Sequence, residues 1–237
     1  MKAWQGKAVA PVARDRGPCG QIKSRDRVRD LAEVYTHERE VNAMLDLVPD
    51  MFPSAREPAN TDRTFLEPAC GDGNFLVEIL RRKLEYVTVQ GYGRGERIEH
   101  RMLRCLASVY GIDICDDNVR EARERMRAVL DAHADAHLGA DGSTTGFADA
   151  VEAILETNVV CADTLAHGSE IEFVEYRPES RGTFVREWSR LEPAASELNL
   201  FSLSPRCDAA PIHYSDLRDN PGPVALGPVG PVERTAA

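Results

Sequence analysis

Gly71-Asp72-Gly73 lies between a short apolar run and an amphipathic segment, a placement that lets a glycine turn do chemistry in this 237-residue chain. A tight turn from strand into helix admits a ligand close to the backbone, and the free N–H groups of the helix start face the same space. A dinucleotide-binding turn takes a third small residue where this chain has Leu76, so it fits that fingerprint poorly. Acids end three apolar runs: Glu67 after Thr64-Phe65-Leu66, Asp113 after Gly111-Ile112, and Asp163 after Cys161-Ala162. A carboxylate at the tip of the second strand is placed to accept from both hydroxyls of a ribose, and one at the third from an adenine amino group. Glu67 lies nearest to where a cationic amine would rest. The ligand these residues suggest is an adenosine with a positively charged amino-acid tail and no phosphate. Plainer uses stay open: Glu67 can cap a neighbouring turn, and Asp113 can cap the helix beginning near 116.

Alternating strands and helices must position these groups. Val41, Met44, Leu45 and Val48 share one helical face within a helical pattern from Val28 to Val48, with Thr36 as its candidate N-cap and Glu38 and Glu40 in the first turn. Pro49, Pro53, Pro58 and Asn60 mark a loop before the strand at Thr64-Phe65-Leu66. A helix then buries Phe75, Leu76, Ile79, Leu80 and Leu84, and Gly91 to Gly95 reads as a flexible break. Residues 96–108 are amphipathic, Val109 to Ile114 reads as a buried strand, and 116–134 as a charged helix. After the Gly139–Gly146 loop come a helix at Ala148–Glu156 and a third strand from Asn158 to Cys161. This order predicts an α/β protein with a doubly wound, mostly parallel sheet. Ile171–Tyr176 and Thr183–Trp188 alternate instead like antiparallel strands with one solvated face, an antiparallel C-terminal portion.

Composition narrows the class. Hydrophobic residues at 43% argue against wholesale disorder, and six widely spaced cysteines without a Cys-x-x-Cys pair argue against a disulfide framework or zinc ribbon, which points to a reducing, cytoplasmic setting. The apolar runs are too short for a membrane span, and the N-terminus lacks a signal-peptide core, so no membrane partner is expected. The formal net charge of −10 argues against gripping nucleic acid by bulk charge. Residues 1–30 run the other way, with Lys2, Lys7, Arg14, Arg16, Lys23, Arg25, Arg27 and Arg29 against three aspartates. The boundaries expected are a basic flexible leader at 1–27, one domain at 28–217, and a Pro/Gly-rich disordered tail at 218–237.

Phe65-Leu66-Glu67-Pro68-Ala69-Cys70-Gly71-Asp72-Gly73-Asn74-Phe75 resembles the first motif of S-adenosylmethionine-dependent DNA adenine-N6 methyltransferases, the M subunits of restriction–modification systems. Tyr110-Gly111-Ile112-Asp113-Ile114 and Asn158-Val159-Val160-Cys161-Ala162-Asp163-Thr164-Leu165 resemble their second and third motifs. Glu33-Val34-Tyr35-Thr36 resembles the segment that touches the methionine end of the cofactor, although His37 stands where the family has Pro. The resemblance covers roughly 25–217 and rests on the ordered set of motifs. It implies a Rossmann-like methyltransferase fold, S-adenosyl-L-methionine as cofactor, and DNA as partner, with a specificity, nuclease or second methyltransferase subunit alongside. It also implies the cofactor-binding residues. Thr36, Glu67 and Gly71 go to the methionine moiety, with Pro68, Ala69 and Gly73 completing that loop. Asp113 and Ile114 go to the ribose and adenine, Asp163 and Thr164 to the adenine edge. The implied activity is adenine-specific DNA methylation in a restriction–modification or phage-defence setting, by direct in-line transfer without covalent intermediate or metal. A non-catalytic, cofactor-binding subunit that needs a partner chain is the alternative, and a small-molecule or RNA methyltransferase a third, since a fold does not choose its substrate.

One part is missing. Methylating an exocyclic amine requires acceptors for the NH2 hydrogens, which the family supplies from an Asn/Asp/Ser-Pro-Pro-aromatic turn whose ring stacks on a flipped base. This chain has no Pro-Pro; Asn220-Pro221-Gly222 and Ser204-Pro205-Arg206 lack the aromatic. No catalytic residue is assigned. Pro18-Cys19 matches a cytosine-C5 nucleophile in letters but lies before the first motif. His133 and His137 have the spacing of metal ligands, yet their Asp- and Ala-rich surroundings predict a solvated face. Trp188, between Arg186 and Arg190, is a candidate base-stacking residue, with core packing the plainer expectation.

Overall fold

A computed structural model describes residues 36–139, 142–190, 206–220 and 222. The leader, its Pro18-Cys19 pair, the helical pattern before Thr36, and the tail beyond 222 lie outside the described residues. The chain is mixed α/β, with one three-stranded parallel sheet and a separate antiparallel sheet.

Helix α1 spans Glu38–Leu45 and buries Val41 and Leu45. Its cap is His37 rather than Thr36: the His37 imidazole Nδ1 accepts from Arg39 N at 3.3 Å. An imidazole nitrogen serves here as a serine or aspartate oxygen does elsewhere. Strand β1 is Phe65–Glu67, and α2 is Asn74–Leu84. Where a flexible break is expected, Val89–Tyr92 forms a single turn, α3, capped by the Thr88 hydroxyl; the chain breaks at Gly93 and Gly95, both with positive φ. Next come α4 (Glu96–Ala107), β2 (Val109–Asp113) and α5 (Asp116–Leu138). Helix α5 runs a turn past the expected 134, because Ala134 and Leu138 are also buried, and it stops at Gly139. Helix α6 (Phe147–Asn158) leads into β3 (Val159–Cys161), followed by a short α7 (Thr164–His167).

Strands β1, β2 and β3 pair in that order, all parallel, with Glu67 opposite Gly111 and Asp113 opposite Cys161. On one face of β2, Gly111 lets α2 press down: a Cβ there would lie 2.6 Å from Leu76 Cδ1 and 3.2 Å from Cys70 Sγ. Helix α2 in turn packs on α5. Gly73, at φ +88°, has no room for a Cβ, which would come 2.9 Å from Ala122 Cβ. The opposite face of β2 receives the second sheet, where Tyr110 meets Phe173 edge-on at 5.5 Å and donates its hydroxyl proton to Val174 O at 3.1 Å.

That second sheet is antiparallel throughout. Strand β4 (Glu172–Pro178) pairs with β5 (Thr183–Arg190), and β5 also pairs with β6 (Arg206–Cys207) and β7 (Ile212–His213). The expected alternation holds in β5, where Phe184 and Arg186 are buried between half-buried neighbours, but not in β4, where Phe173 and Val174 are both buried because the sheet packs on two sides. The expectation of one continuous sheet does not hold. Strand β4 crosses onto the face of the parallel sheet instead of extending its edge, and Ile171, Phe173, Tyr110 and Ile112 form their own apolar cluster there. Among the described residues no helix is long and apolar enough to cross a membrane.

Candidate functional site

Parallel strands deliver their C-terminal ends to one side, and in open α/β sheets ligands bind there. Here the chain after β1 turns at residues 68–73 before entering α2. Cys70 N donates to Ile112 O at 2.7 Å and Gly73 N to Cys70 O at 2.9 Å, which fixes the turn beside the end of β2. Gly71 N donates to Asp113 Oδ2 at 2.8 Å, so the glycine turn and the strand-end carboxylate touch directly. The other oxygen, Oδ1, accepts from Cys115 N at 2.9 Å and Asn118 Nδ2 at 3.2 Å, which orients Asp113 against the start of α5.

The other two acids also have local work. Glu67 Oε1 accepts from Ala69 N at 3.2 Å, the turn-capping role left open above. Asp163 Oδ1 accepts from Leu165 N and Ala166 N, both at 2.9 Å, and so caps α7. Thr164 bridges the strands, its hydroxyl donating to Pro68 O at 3.0 Å. The residues carried over from the resemblance are thus brought together in pairs: Gly71 with Asp113, Thr164 with Pro68, and Glu67 with Ala69. Gly73 serves the contact between α2 and α5. Thr36 reaches the turn indirectly, through Asn74, whose Nδ2 donates to Thr36 O at 3.0 Å. Ile114 is 55% exposed, and Leu165 beside Asp163 is 99% exposed.

Capping leaves capacity in reserve. A carboxylate offers about four lone-pair positions, and among the described residues no donor reaches Glu67 Oε2 or Asp163 Oδ2. Ion pairs form elsewhere as Asp62–Arg104, Glu78–Arg82 and Arg186–Asp208, and within the turn as Asp72–Arg125. None of those cations engages Glu67, Asp113 or Asp163. The local potential registers on Cys70: burial, then the negative charges of Asp113 and Glu67, push its thiol up to about 12. Carboxylates gathered at the strand ends favour a cationic ligand, and the exposed Ile114 and Leu165 offer apolar surface to a flat ring.

Several residues at the site carry no motif signal. Asn118 supports Asp113, Ala122 seats Gly73, and Arg125 grips the turn. Their shared signal is helical spacing on α5, since 118, 122 and 125 lie on one face. The histidine pair differs from the expected solvated face: His133 is half-buried and its Nε2 donates to Val87 O at 2.7 Å, with the His137 ring 4.4 Å away. Among the described residues no group of three His, Cys, Asp or Glu side chains could hold a metal ion. Trp188 packs partly buried against the core with the Arg186 guanidinium 4.9 Å over its ring. Arg186 itself is held by Asp208 at 2.9 Å.

No protein-family model, curated protein or solved structure matches the chain.

Proposed function

We propose that this protein is an S-adenosylmethionine-dependent methyltransferase, with a Rossmann-like methyltransferase fold and adenine N6 in DNA as its target. The observation that carries the reading is the contact between Gly71 N and Asp113 Oδ2 at the C-terminal ends of parallel strands. It unites the first two motifs of the resemblance in one place. The ordered motifs, the spare oxygens of Glu67 and Asp163 and, among the described residues, the absence of cations paired with them support a ligand with hydroxyls, an amino group and positive charge.

The residues present fit such a cofactor. When bound, S-adenosylmethionine supplies an electrophilic methyl group on a sulfonium. Around it the chain's own groups have distinct tasks. Glu67 and the backbone of 68–71 hold the amino-acid end, with Glu67 offering its charge to the ammonium. Asp113 accepts a ribose hydroxyl on Oδ2. Ile114 would offer its exposed side chain to one face of the adenine, and Asp163 and Thr164 would take its edge. None of these groups is a base for N6.

A second reading is favoured by a specific observation. Among the described residues the parallel sheet ends with β1 at its edge, after three strands, and the sequence holds no Pro-Pro-aromatic turn. A partner chain that supplies the acceptors for the target amine fits that outline, and this chain is then the cofactor-binding subunit. Incubation of the purified protein with methyl-labelled cofactor and unmethylated genomic DNA tests both. Label in N6-methyladenine with the chain alone supports the first reading. Label only with a co-purified partner supports the second. No label in either mixture contradicts DNA methylation.

A further inference from the structure

We propose that Arg125 is a positioning residue for the cofactor turn, acting through Asp72 and Asn74 without touching the ligand; the inference rests on the cofactor reading above. Arg125 lies on α5, one turn beyond the Ala122 that packs on Gly73. Its Nη1 donates to Asp72 O at 2.6 Å and lies 2.9 Å from Asp72 Oδ1, while Nη2 donates to Asn74 Oδ1 at 2.8 Å. Asp72 is fully buried, and the Arg125 guanidinium lies within ion-pair distance of its carboxylate. Asn74 passes the constraint on, its amide donating to Thr36 O at 3.0 Å. One guanidinium therefore ties two segments 36 residues apart: the glycine turn and the stretch at Thr36 expected to meet the methionine end.

Geometry explains why arginine is needed. A planar fork reaches a carbonyl, a carboxylate and a side-chain amide at once, whereas lysine offers a single point charge. Together with Asp113 at the end of β2, which holds Gly71, Arg125 in the third turn of α5 completes a clamp on residues 71–74. The turn is then shaped before a ligand arrives, and preorganisation of this kind lowers the cost of binding.

The test uses the full chain with Arg125→Lys, which keeps a cation beside Asp72, and Asn74→Ala, which cuts the Thr36 arm without disturbing the buried pair. Hydrogen exchange in the ligand-free proteins is expected to show faster amides at 71–75 in Arg125→Lys, with the core of α4 unchanged. Calorimetric titration with S-adenosylhomocysteine is expected to show affinity at least about tenfold weaker in Arg125→Lys and weaker to a lesser degree in Asn74→Ala. The double variant is expected to be no weaker than Arg125→Lys alone, as for residues acting along one path. A purely structural role loosens the fold as a whole and speeds exchange in the core of α4 as well as at 71–75. Wild-type protein that takes up no ligand overturns the cofactor reading and this inference with it. Wild type that binds, with Arg125→Lys equally protected at 71–75, equally tight, or additive with Asn74→Ala, overturns the positioning role alone.

Discussion

Asp113 accepts a hydrogen bond from the Gly71 backbone N–H at 2.8 Å, although 42 residues separate them. The carboxylate that ends β2 thus closes the turn that follows β1. It also joins α5 to that turn through Cys115 N and Asn118. The candidate site is built around this junction, and its consequences can be measured.

Gly111 sets the distance between β2 and α2. In Gly111→Ala the new methyl meets Leu76 Cδ1 at 2.6 Å, and both atoms are in the core. Overpacking of this kind costs about 1–3 kcal/mol. A urea titration is expected to show the lower midpoint, with partial recovery in Gly111→Ala/Leu76→Val. Equal stability of Gly111→Ala and wild type contradicts the packing described.

Lys83 is fully buried on α2, where its ammonium donates to Thr61 O and Ser108 Oγ at 2.9 and 2.8 Å and also to Arg63 O. It fastens the approach to β1 onto the helix that follows it. Lys83→Met keeps the stem and removes the ammonium donor from all three oxygens, leaving Thr61 O only the Ser108 hydroxyl at 3.3 Å, a loss of about 2–4 kcal/mol. Thermal unfolding reads the loss; a change within about 0.5 kcal/mol contradicts the assigned role.

Acid is expected to weaken the fold through two histidines. Burial, and then the charges of Arg104 and Arg101, push His100 down to about 4. Burial pushes His133 to about 4 as well, against the pull of the Val87 carbonyl. In the unfolded chain both titrate near their ordinary value, so between that value and about 4 the unfolded state binds more protons. Stability is then full above the ordinary histidine range and falls as pH drops through it, by up to about 1.4 kcal/mol per pH unit for each histidine. Urea midpoints at pH 7 and 5.5 check the slope, and His133→Gln is expected to flatten it. A midpoint that rises on acidification contradicts the burial of both rings.

Much of this was legible in the sequence wherever it depended on local pattern. The apolar spacing from Phe75 to Leu84 and from Val119 to Leu130 identified helices that the structure contains with shifted ends. The buried strand expected from Val109 to Ile114 is present but ends at Asp113, with Ile114 exposed beyond it. The cap of α1 was misread because His37 does a task that Thr36 performs more often. The separate antiparallel sheet was hidden because its docking depends on Tyr110 meeting Phe173, a long-range contact with no local sign. At the site, the acids and glycines were visible as letters. Their existing hydrogen bonds to Gly71, Ala69, Leu165 and Ala166 were not, and neither was Arg125, whose role appears only once α5 lies beside the turn.

The central claim is that the turn at Gly71 and the carboxylate of Asp113 form an S-adenosylmethionine site. Calorimetric titration of the wild-type protein with S-adenosylmethionine, beside Asp113→Ala checked for intact secondary structure by circular dichroism, tests it most directly. The predicted result is saturable one-to-one binding by the wild type and none by folded Asp113→Ala. Absence of heat with the wild type, or undiminished binding by Asp113→Ala, contradicts it.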